Sequence, residues 1–482
     1  MAYTAFITRL KNVRPHPNAD RLQMGECFGN TIVVNMNYTD NQLGIYFPAD
    51  GQVSLEFAEA NNLLRKKDEN GNNIGGYMDA DKRNVTAIKL RGEKSEGLFL
   101  PLTSLESFGD ISTLSEGDRI TNFNGHEICC KYIPRSNKRS GGSSKGNKTR
   151  KKGVPVAPLF AEHADTEQLA YNLGAFKAGD QIEITLKMHG TSQRTGYLPV
   201  FSGYADSLKC RIINAIKSKF KKNYEPKHDG KPIYDWGYVS GTRRVVLENF
   251  DGGYYGSNEF REAHSKFFEG KLWKGETVYY EVVGFTHTGA PIMATADNKK
   301  LNDKEFIKQY GKTTTFSYGC EATPTGFDED GKIVKLPHES DIYVYRMTMT
   351  NEDGDVVEYT PEFMRYRCEQ MGVKTVPVMW KGFIPTHKPI GMWNEEDKSN
   401  DTPGYRPPID AGEYVKFLAE QYYDGADPIG KTHIREGVVV RIINRPKFAA
   451  FKHKNWSFKA LEGIVKVEAT APDMEEAQDV IE

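Results

Sequence analysis

Residues 135–152 read RSNKRSGGSSKGNKTRKK, and this run does most to limit how the chain can fold. It holds eight Lys or Arg, no acid, and no aliphatic or aromatic side chain. Such a segment cannot bury a core. Separate folding units are therefore expected on its two sides, joined by a basic flexible linker over residues 135–155. Two roles stay open for that linker: a solvated hinge, or a strap for phosphates. The 482 residues leave room for roughly two to four domains.

Ahead of the linker, Ala5–Leu10, Thr31–Asn35, Leu43–Phe47, Asn84–Leu90, Gly97–Leu102 and Glu127–Ile133 are short apolar or alternating runs. Clusters of Gly, Asn and Asp separate them, which predicts a small β-barrel or sandwich over residues 1–134. Asp68–Asp79 hints at an EF-hand loop but lacks glycine at its sixth position, so it reads as a hairpin turn. After the linker the pattern is mixed. Gln181–Leu186, Thr277–Val283, Ile342–Met347 and Gly437–Ile443 have strand character, while Val415, Leu418, Ala419 and Tyr422 repeat at helical spacing. The expected class is α+β and multidomain, with a second domain over residues 156–465. The segment 466–482 is an acidic tail, with six acids and no base after Val467.

The charge balance is 64 Lys+Arg against 65 Asp+Glu, a net −1. That excludes a uniformly basic nucleic-acid coat and a strongly acidic solvating chain. No apolar run approaches the roughly 20 residues that cross a bilayer, and Met1–Lys11 has no apolar signal core. The expected location is cytoplasmic, with no membrane partner. Six cysteines without CxxC spacing indicate neither a zinc site nor a disulfide framework.

The chemistry concentrates in the second domain. Lys187 opens Lys187-Met188-His189-Gly190, directly after a strand-like run. In order there follow Glu281 in Val278-Tyr279-Tyr280-Glu281-Val282-Val283-Gly284, Glu436 in Glu436-Gly437-Val438-Val439-Val440, and Lys452 and Lys454 in Phe451-Lys452-His453-Lys454. Residues two apart on a strand face the same way, so Lys452 and Lys454 could grip one phosphate. This set resembles the covalent nucleotidyltransferase family of RNA ligases, DNA ligases and mRNA capping enzymes. Lys187 matches its motif I (KxxG), Glu281 motif III, Glu436 motif IV, and Lys452 with Lys454 motif V. The KxHG form is similar to RNA ligases. Ser240-Gly241-Thr242-Arg243-Arg244 resembles the arginine-bearing element between motifs I and III, and Tyr345 resembles the aromatic motif IIIa. Arg346 departs from the acid often found after it.

Two other segments compete for the chemistry. Lys227-His228-Asp229-Gly230 matches KxDG literally. It lies between Pro226 and Pro232, no apolar strand leads into it, and it reads as a surface turn. Asp206–Pro232 as a whole reads as an insertion, and Gly326–Thr432 fits the resemblance least clearly. Gly425-Ala426-Asp427-Pro428-Ile429-Gly430-Lys431-Thr432 fits GxxxxGK[ST]. A phosphate loop must follow a strand and open a helix, and here the order is reversed.

The resemblance implies ATP as co-substrate and three nucleotidyl transfers. Lys187 attacks the α-phosphate to give lysyl-AMP; AMP passes to an RNA 5′-phosphate; a 3′-hydroxyl then displaces AMP. It implies Glu436 as holder of Mg2+ or Mn2+, Glu281 and Tyr345 as ribose and adenine contacts, and Arg243, with Arg244 the alternative, on ribose or end phosphates. Gly190 leaves room beside the nucleotide. A free lysine has a pKa near ~10.4, so burial and the charges of Lys452, Lys454 and a metal are expected to lower it. Only 28 residues follow Lys454, too few for the OB domain that ends DNA ligases and capping enzymes. His16-Pro17-Asn18-Ala19-Asp20-Arg21-Leu22 and Leu90-Arg91-Gly92-Glu93-Lys94-Ser95-Glu96-Gly97 look like an N-terminal OB-fold module, as in nick-sealing RNA ligases. Arg9, Lys11, Arg14, Arg21 and Lys89 are its candidate RNA contacts, with His16 in a structural turn. The expected partner is RNA or an RNA-containing nicked duplex, and the expected state a monomer. The rival readings are a DNA ligase, an mRNA guanylyltransferase, and a non-catalytic RNA-binding protein with a decayed ligase domain.

Overall fold

The computed structural model describes residues 3–67, 73–76, 78–132, 153–220, 224–252, 255–301, 303–327, 332–392, 406–462 and 465–466. The linker up to Lys152, the tail beyond Lys466 and half of the Asp68–Asp79 turn lie outside them. The fold is mixed α and β, in two compact units. The first joins Met1–Ser136 with Asp297–Lys312 and Trp456–Asp473; the second takes Asn137–Ala296, Thr313–Asn455 and Met474–Glu482. No helix among the described residues is long and apolar enough to cross a membrane.

In the first unit a sheet runs in the order Leu98–Pro101, Gln42–Phe47, Ala5–Pro15, Leu22–Cys27, Asn30–Asn35. The long Ala5–Pro15 strand pairs Phe6–Leu10 with Gln42–Tyr46. Its second half turns to Leu22–Cys27 after a register shift between Lys11 and Arg14. Such a bulge bends a strand and lets one strand serve two partners. Alternation sends Ala5 and Ile7 inward, against Ile45, Phe47, Val53, Phe57, Leu105 and Ile128. Ser54 caps the Leu55–Ala60 helix by accepting the Phe57 N–H at 3.1 Å, which satisfies an otherwise orphaned donor.

The C-terminal edge of this unit differs from the boundary expected at residue 465. Val465–Lys466 runs parallel to Ala87–Ile88. In the Trp456–Glu462 helix before it, Lys459 Nζ lies 2.8 Å from Glu96, and the Lys94 ammonium lies 4.7 Å above the Trp456 ring. These contacts bind the Trp456–Glu462 helix to the first unit. Sequence periodicity cannot register them, because the partners are more than 350 residues apart.

Two larger sheets of the second unit frame the candidate site. One runs Glu167–Gln168, Ala449–Lys454, Gly437–Ile442, Gln181–Lys187, Val378–Phe383. The other runs Val246–Leu247, Pro232–Gly241, Thr191–Tyr204, Glu276–Gly284, Ser340–Thr350, Val356–Glu358. The Ala411–Tyr422 helix, capped by Asp410, packs Tyr414, Val415 and Ala419 against Ile182, Ile184, Val438 and Val440. Part of the poorly fitting 326–432 region proves integral. Val378–Phe383 is the neighbour of Gln181–Lys187. From the Pro361–Met371 helix, Arg365 grips Glu183 with two bonds of 3.0 and 2.9 Å.

Glu276 opens the fully buried Glu276–Gly284 strand and is itself 0% exposed. Arg367 binds it at 2.8 and 2.9 Å, and the Tyr359 hydroxyl donates at 3.1 Å. Glu276→Ala leaves a buried guanidinium unpaired. A loss of about 3–5 kcal/mol in unfolding free energy is expected, read from urea denaturation.

Candidate active site

Lys187 is the last residue of the Gln181–Lys187 strand. The register sets it opposite Gly437, and Gly437 opposite Lys454, so three neighbouring strands end in one row. Glu436, one residue before Gly437, is 0% exposed. Its Oε1 lies 2.6 Å from Lys187 Nζ and 3.1 Å from Lys454 Nζ. Its Oε2 faces His189 Nδ1 at 3.7 Å. Burial pushes the Glu436 carboxyl up, but Lys187, Lys454 and His189 outweigh it and hold the group down at about 2. The carboxylate is thus ionised, and it anchors ammonium groups rather than taking their protons. Two cations on one oxygen oppose each other, and release of a proton from Lys187 relieves that opposition. Lys452 is half-buried, pairs with Val439, and lies on the same strand face as Lys454.

Met188, His189 and Gly190 carry the chain from the first sheet to the second, where Thr191 begins the next strand. A Cβ on Gly190 would lie 2.4 Å from the Val282 carbonyl oxygen and 2.9 Å from Glu281 Cγ. Only glycine allows this approach, and it brings Glu281 beside the Lys187 motif. Glu281 is paired across the sheet with Ser192, whose hydroxyl donates to its Oε2 at 3.2 Å. Tyr345 occupies a bulge: Tyr279 pairs with Arg346 and Tyr280 with Val344, leaving Tyr345 without a cross-strand partner residue on that strand. Its hydroxyl hydrogen-bonds Ser192, and burial, then Glu281, pushes it well above its ordinary value. It stays a neutral phenol.

His163 joins this second cluster and was not marked by sequence. Its ring meets Tyr345 edge-on at 5.3 Å, and its backbone N–H donates to the Arg243 carbonyl at 3.1 Å. Burial, then Arg243 and Arg346, lowers it to about 3, so it is uncharged at neutral pH. Arg243 is half-buried here, whereas exposed Arg244 pairs with Asp165 at 3.2 Å. Arg346 is taken up by a bidentate pair with Glu358 and lies 4.5 Å above the Tyr279 ring. Buried Arg261 pins the start of the Thr191–Tyr204 strand through Ser192 O at 3.0 Å and Thr191 Oγ1 at 2.6 Å.

The structure therefore brings Lys187, Gly190, Glu436 and Lys454 together, with Glu281 beside Gly190 and Tyr345 and Arg243 beside Glu281. Lys227 lies elsewhere, exposed in a turn. Its carbonyl accepts Asn214 at 2.8 Å, and Asp206 binds the Asp229 and Gly230 N–H groups at 3.0 Å. That turn backs the exposed Leu208–Phe220 helix. The segment 425–432 follows a helix and precedes the Gly437–Ile442 strand, as the reversed order predicts. Among the N-terminal candidates, Arg9 pairs with Glu116 at 3.0 Å and Arg14 with Glu26 at 2.9 Å, while Lys11 and Arg21 are exposed. The Lys89 side chain lies outside the described set. His16 is buried, and its Nδ1 accepts the Asn18 N–H at 3.0 Å within a tight turn.

The arrangement suits a phosphorylated, anionic ligand. Lys187 and Lys454 are positive and Lys452 adjoins them. Glu436 Oε2, which faces His189, is a buried anionic oxygen of the type that a hard divalent cation or its water takes.

Solved structures of Naegleria gruberi RNA ligase share this fold. One, with PPi, gives a TM-score of 0.50 at 16% identity, covering 94% of this chain and 97% of that one. A variant solved with ATP and Mn gives 0.50 at 15% identity, covering 95% and 99%. No family profile matches the chain, and no curated protein sequence matches it.

Proposed function

We propose that the shared fold carries a shared chemistry: this chain is an ATP-dependent RNA ligase that seals 3′-OH/5′-phosphate breaks, with RNA on the 3′-OH side. The observation that carries the reading is the strand-end row in which Lys187 and Lys454 meet one oxygen of buried Glu436. A lysine held at a strand end, beside a second lysine, is poised for attack on a phosphate whose growing negative charge its neighbours offset.

In this reading Lys187 Nζ, having lost a proton, forms a bond to the α-phosphorus of ATP, and the bond to pyrophosphate breaks. Lys452 and Lys454 meet the charge on the phosphate. The 5′-phosphate of RNA then takes the AMP group from Lys187, and a 3′-hydroxyl attacks that phosphorus, releasing AMP. Glu436 would hold a divalent cation, which supplies charge neutralisation at the phosphates. Glu281 receives ribose hydroxyls, Tyr345 stacks on adenine, and Arg243 binds ribose or an end phosphate. The first unit serves as an OB-type strand binder. Exposed Lys11 and Arg21 make its first contacts, because Arg9 and Arg14 must first leave their carboxylate partners. The substrate is an RNA or RNA-containing nicked duplex, joined by a monomer in the cytoplasm.

The test is incubation with α-labelled ATP or GTP and Mg2+ or Mn2+, then a nick-joining panel with RNA or DNA at the 3′-OH. Labelling by ATP is expected, with RNA ends joined about tenfold or more faster than DNA ends, because a 2′-hydroxyl distinguishes the two. Labelling by GTP alone would make the protein a guanylyltransferase. Equal joining of DNA ends would make it a DNA ligase.

A further inference from the structure

Between the Glu276–Gly284 and Ser340–Thr350 strands, one residue returns to the backbone beside Lys187. Tyr318 is 3% exposed, and its hydroxyl accepts the His189 backbone N–H at 2.7 Å. That N–H lies in the short link between the two sheets. Phe316 sets its ring edge-on to the His189 imidazole with centroids 4.6 Å apart. The pair therefore fixes both the main chain and the side chain of the residue two after Lys187.

Tyr318 itself has φ 51, a left-handed conformation that is costly for a bulky side chain. Its support is the turn whose sequence imitates a phosphate loop. Asp427 is 0% exposed, and its Oδ2 accepts the N–H of Ile429 at 3.1 Å and of Gly430 at 2.6 Å. Those bonds press Gly430 onto Tyr318: a Cβ there would lie 2.9 Å from Gly319 N and 3.3 Å from the Tyr318 carbonyl carbon. His433, also fully buried, closes the turn through its carbonyl to Asp427 N at 2.8 Å and meets the Tyr318 ring at 4.6 Å.

We propose that Tyr318 is a positioning residue for Lys187, and that the Asp427–His433 turn is the pedestal that holds Tyr318 in place. The proposal rests on the ligase reading. Tyr318 does not enter the chemistry. It sets the peptide after the nucleophile, so that Lys187 Nζ stays at Glu436 and in line with a phosphate. Small misplacements of a nucleophile cost far more rate than binding.

Tyr318→Phe keeps the ring and removes the acceptor. Its single-turnover rate of lysyl-AMP formation is expected to fall about tenfold to a hundredfold. The half-saturating ATP concentration should stay within about twofold, since Tyr318 is assigned no nucleotide contact. Joining of RNA supplied with a pre-adenylylated 5′ end should also stay within about twofold, because that step does not use the Lys187 amine as nucleophile. Gly430→Ala, which displaces Tyr318 through its backbone, should show the same split, and it decides the matter if Tyr318→Phe fails to fold. Wild-type rates of lysyl-AMP formation would overturn the proposal. So would an equal fall in both steps, which would mark Tyr318 as merely structural. Absence of any adduct on the wild-type protein would overturn the ligase reading instead.

Discussion

Lys187→Ala is expected to abolish covalent labelling by α-labelled ATP, a loss of at least about 10³-fold, while Lys227→Ala labels at the wild-type rate. The magnitude follows from the kind of step. Removing a nucleophile eliminates the bond that must form, whereas removing a supporting charge only raises the barrier. Nothing described in the site can substitute. Lys454 is held on Glu436 at 3.1 Å from another strand, and Lys227 is exposed in the turn behind the Leu208–Phe220 helix. The measurement is label retained after denaturing electrophoresis. Retention on Lys187→Ala together with loss on Lys227→Ala would reverse the assignment. Folding of each variant is checked by circular dichroism. Lys187→Ala also removes one of the two cations on Glu436, so some loss of stability accompanies the loss of label.

Glu436→Gln carries the second large effect, and it acts on stability and activity together. The amide cannot balance two ammonium groups at a fully buried position. Breaking a buried ion pair from one side costs about 3–5 kcal/mol. Lysyl-AMP formation should fall about a hundredfold or more, because Lys187 loses its anchor and the site loses its best oxygen for a cation. The pH dependence has a definite sign. The Glu436 carboxyl is held at about 2, below its ordinary 4.5. Its contribution to stability is therefore fully present above pH 4.5 and is lost as pH falls from there through about 2. Wild type should lose stability across that window, and Glu436→Gln should lose less there, since its own contribution is already gone. Denaturant midpoints at pH 6, 4 and 3 would check this. Parallel acid curves for the two proteins would show that Glu436 is not the group responsible.

Much of the candidate site was legible in the sequence because strand chemistry is local. Glu436 and Gly437 lead into a β-branched run, Lys452 and Lys454 alternate on one strand, and Lys187 closes another. Each pattern is a strand signal readable from neighbouring residues: alternation before Lys187 and around Lys452, and a β-branched run after Glu436. The discrimination between Lys187 and Lys227 was also local: one follows an apolar run, and the other lies in a turn between prolines. Less legible were the Leu22–Cys27 strand, whose pattern is weak, and the 14-residue Thr191–Tyr204 strand. The latter carries Gly196, Pro199 and Gly203, which sequence reads as breaks. It is held as a strand by two neighbours at once, Glu276–Gly284 and Pro232–Gly241. His163, Ser192, Arg261 and Tyr318 had no motif to betray them. Their importance lies in partners 68 to 129 residues away along the chain, and farther still for the contact of His163 with Tyr345.

The sequence by itself set the expectation of a division around residues 135–152, since a segment without apolar side chains has nothing to bury. It also determined which lysines and carboxylates can end strands. Tertiary structure alone decided which of them meet. Register is what placed Lys187, Gly437 and Lys454 in one row, and one residue of slip would turn every side chain on a strand to the other face. The close approach at Gly190, the bulge at Tyr345 and the pedestal under Tyr318 arise from packing between segments far apart in sequence. The Trp456–Glu462 helix joined the first unit for the same reason: its partners are fixed by where the chain returns, and not by the residues beside it.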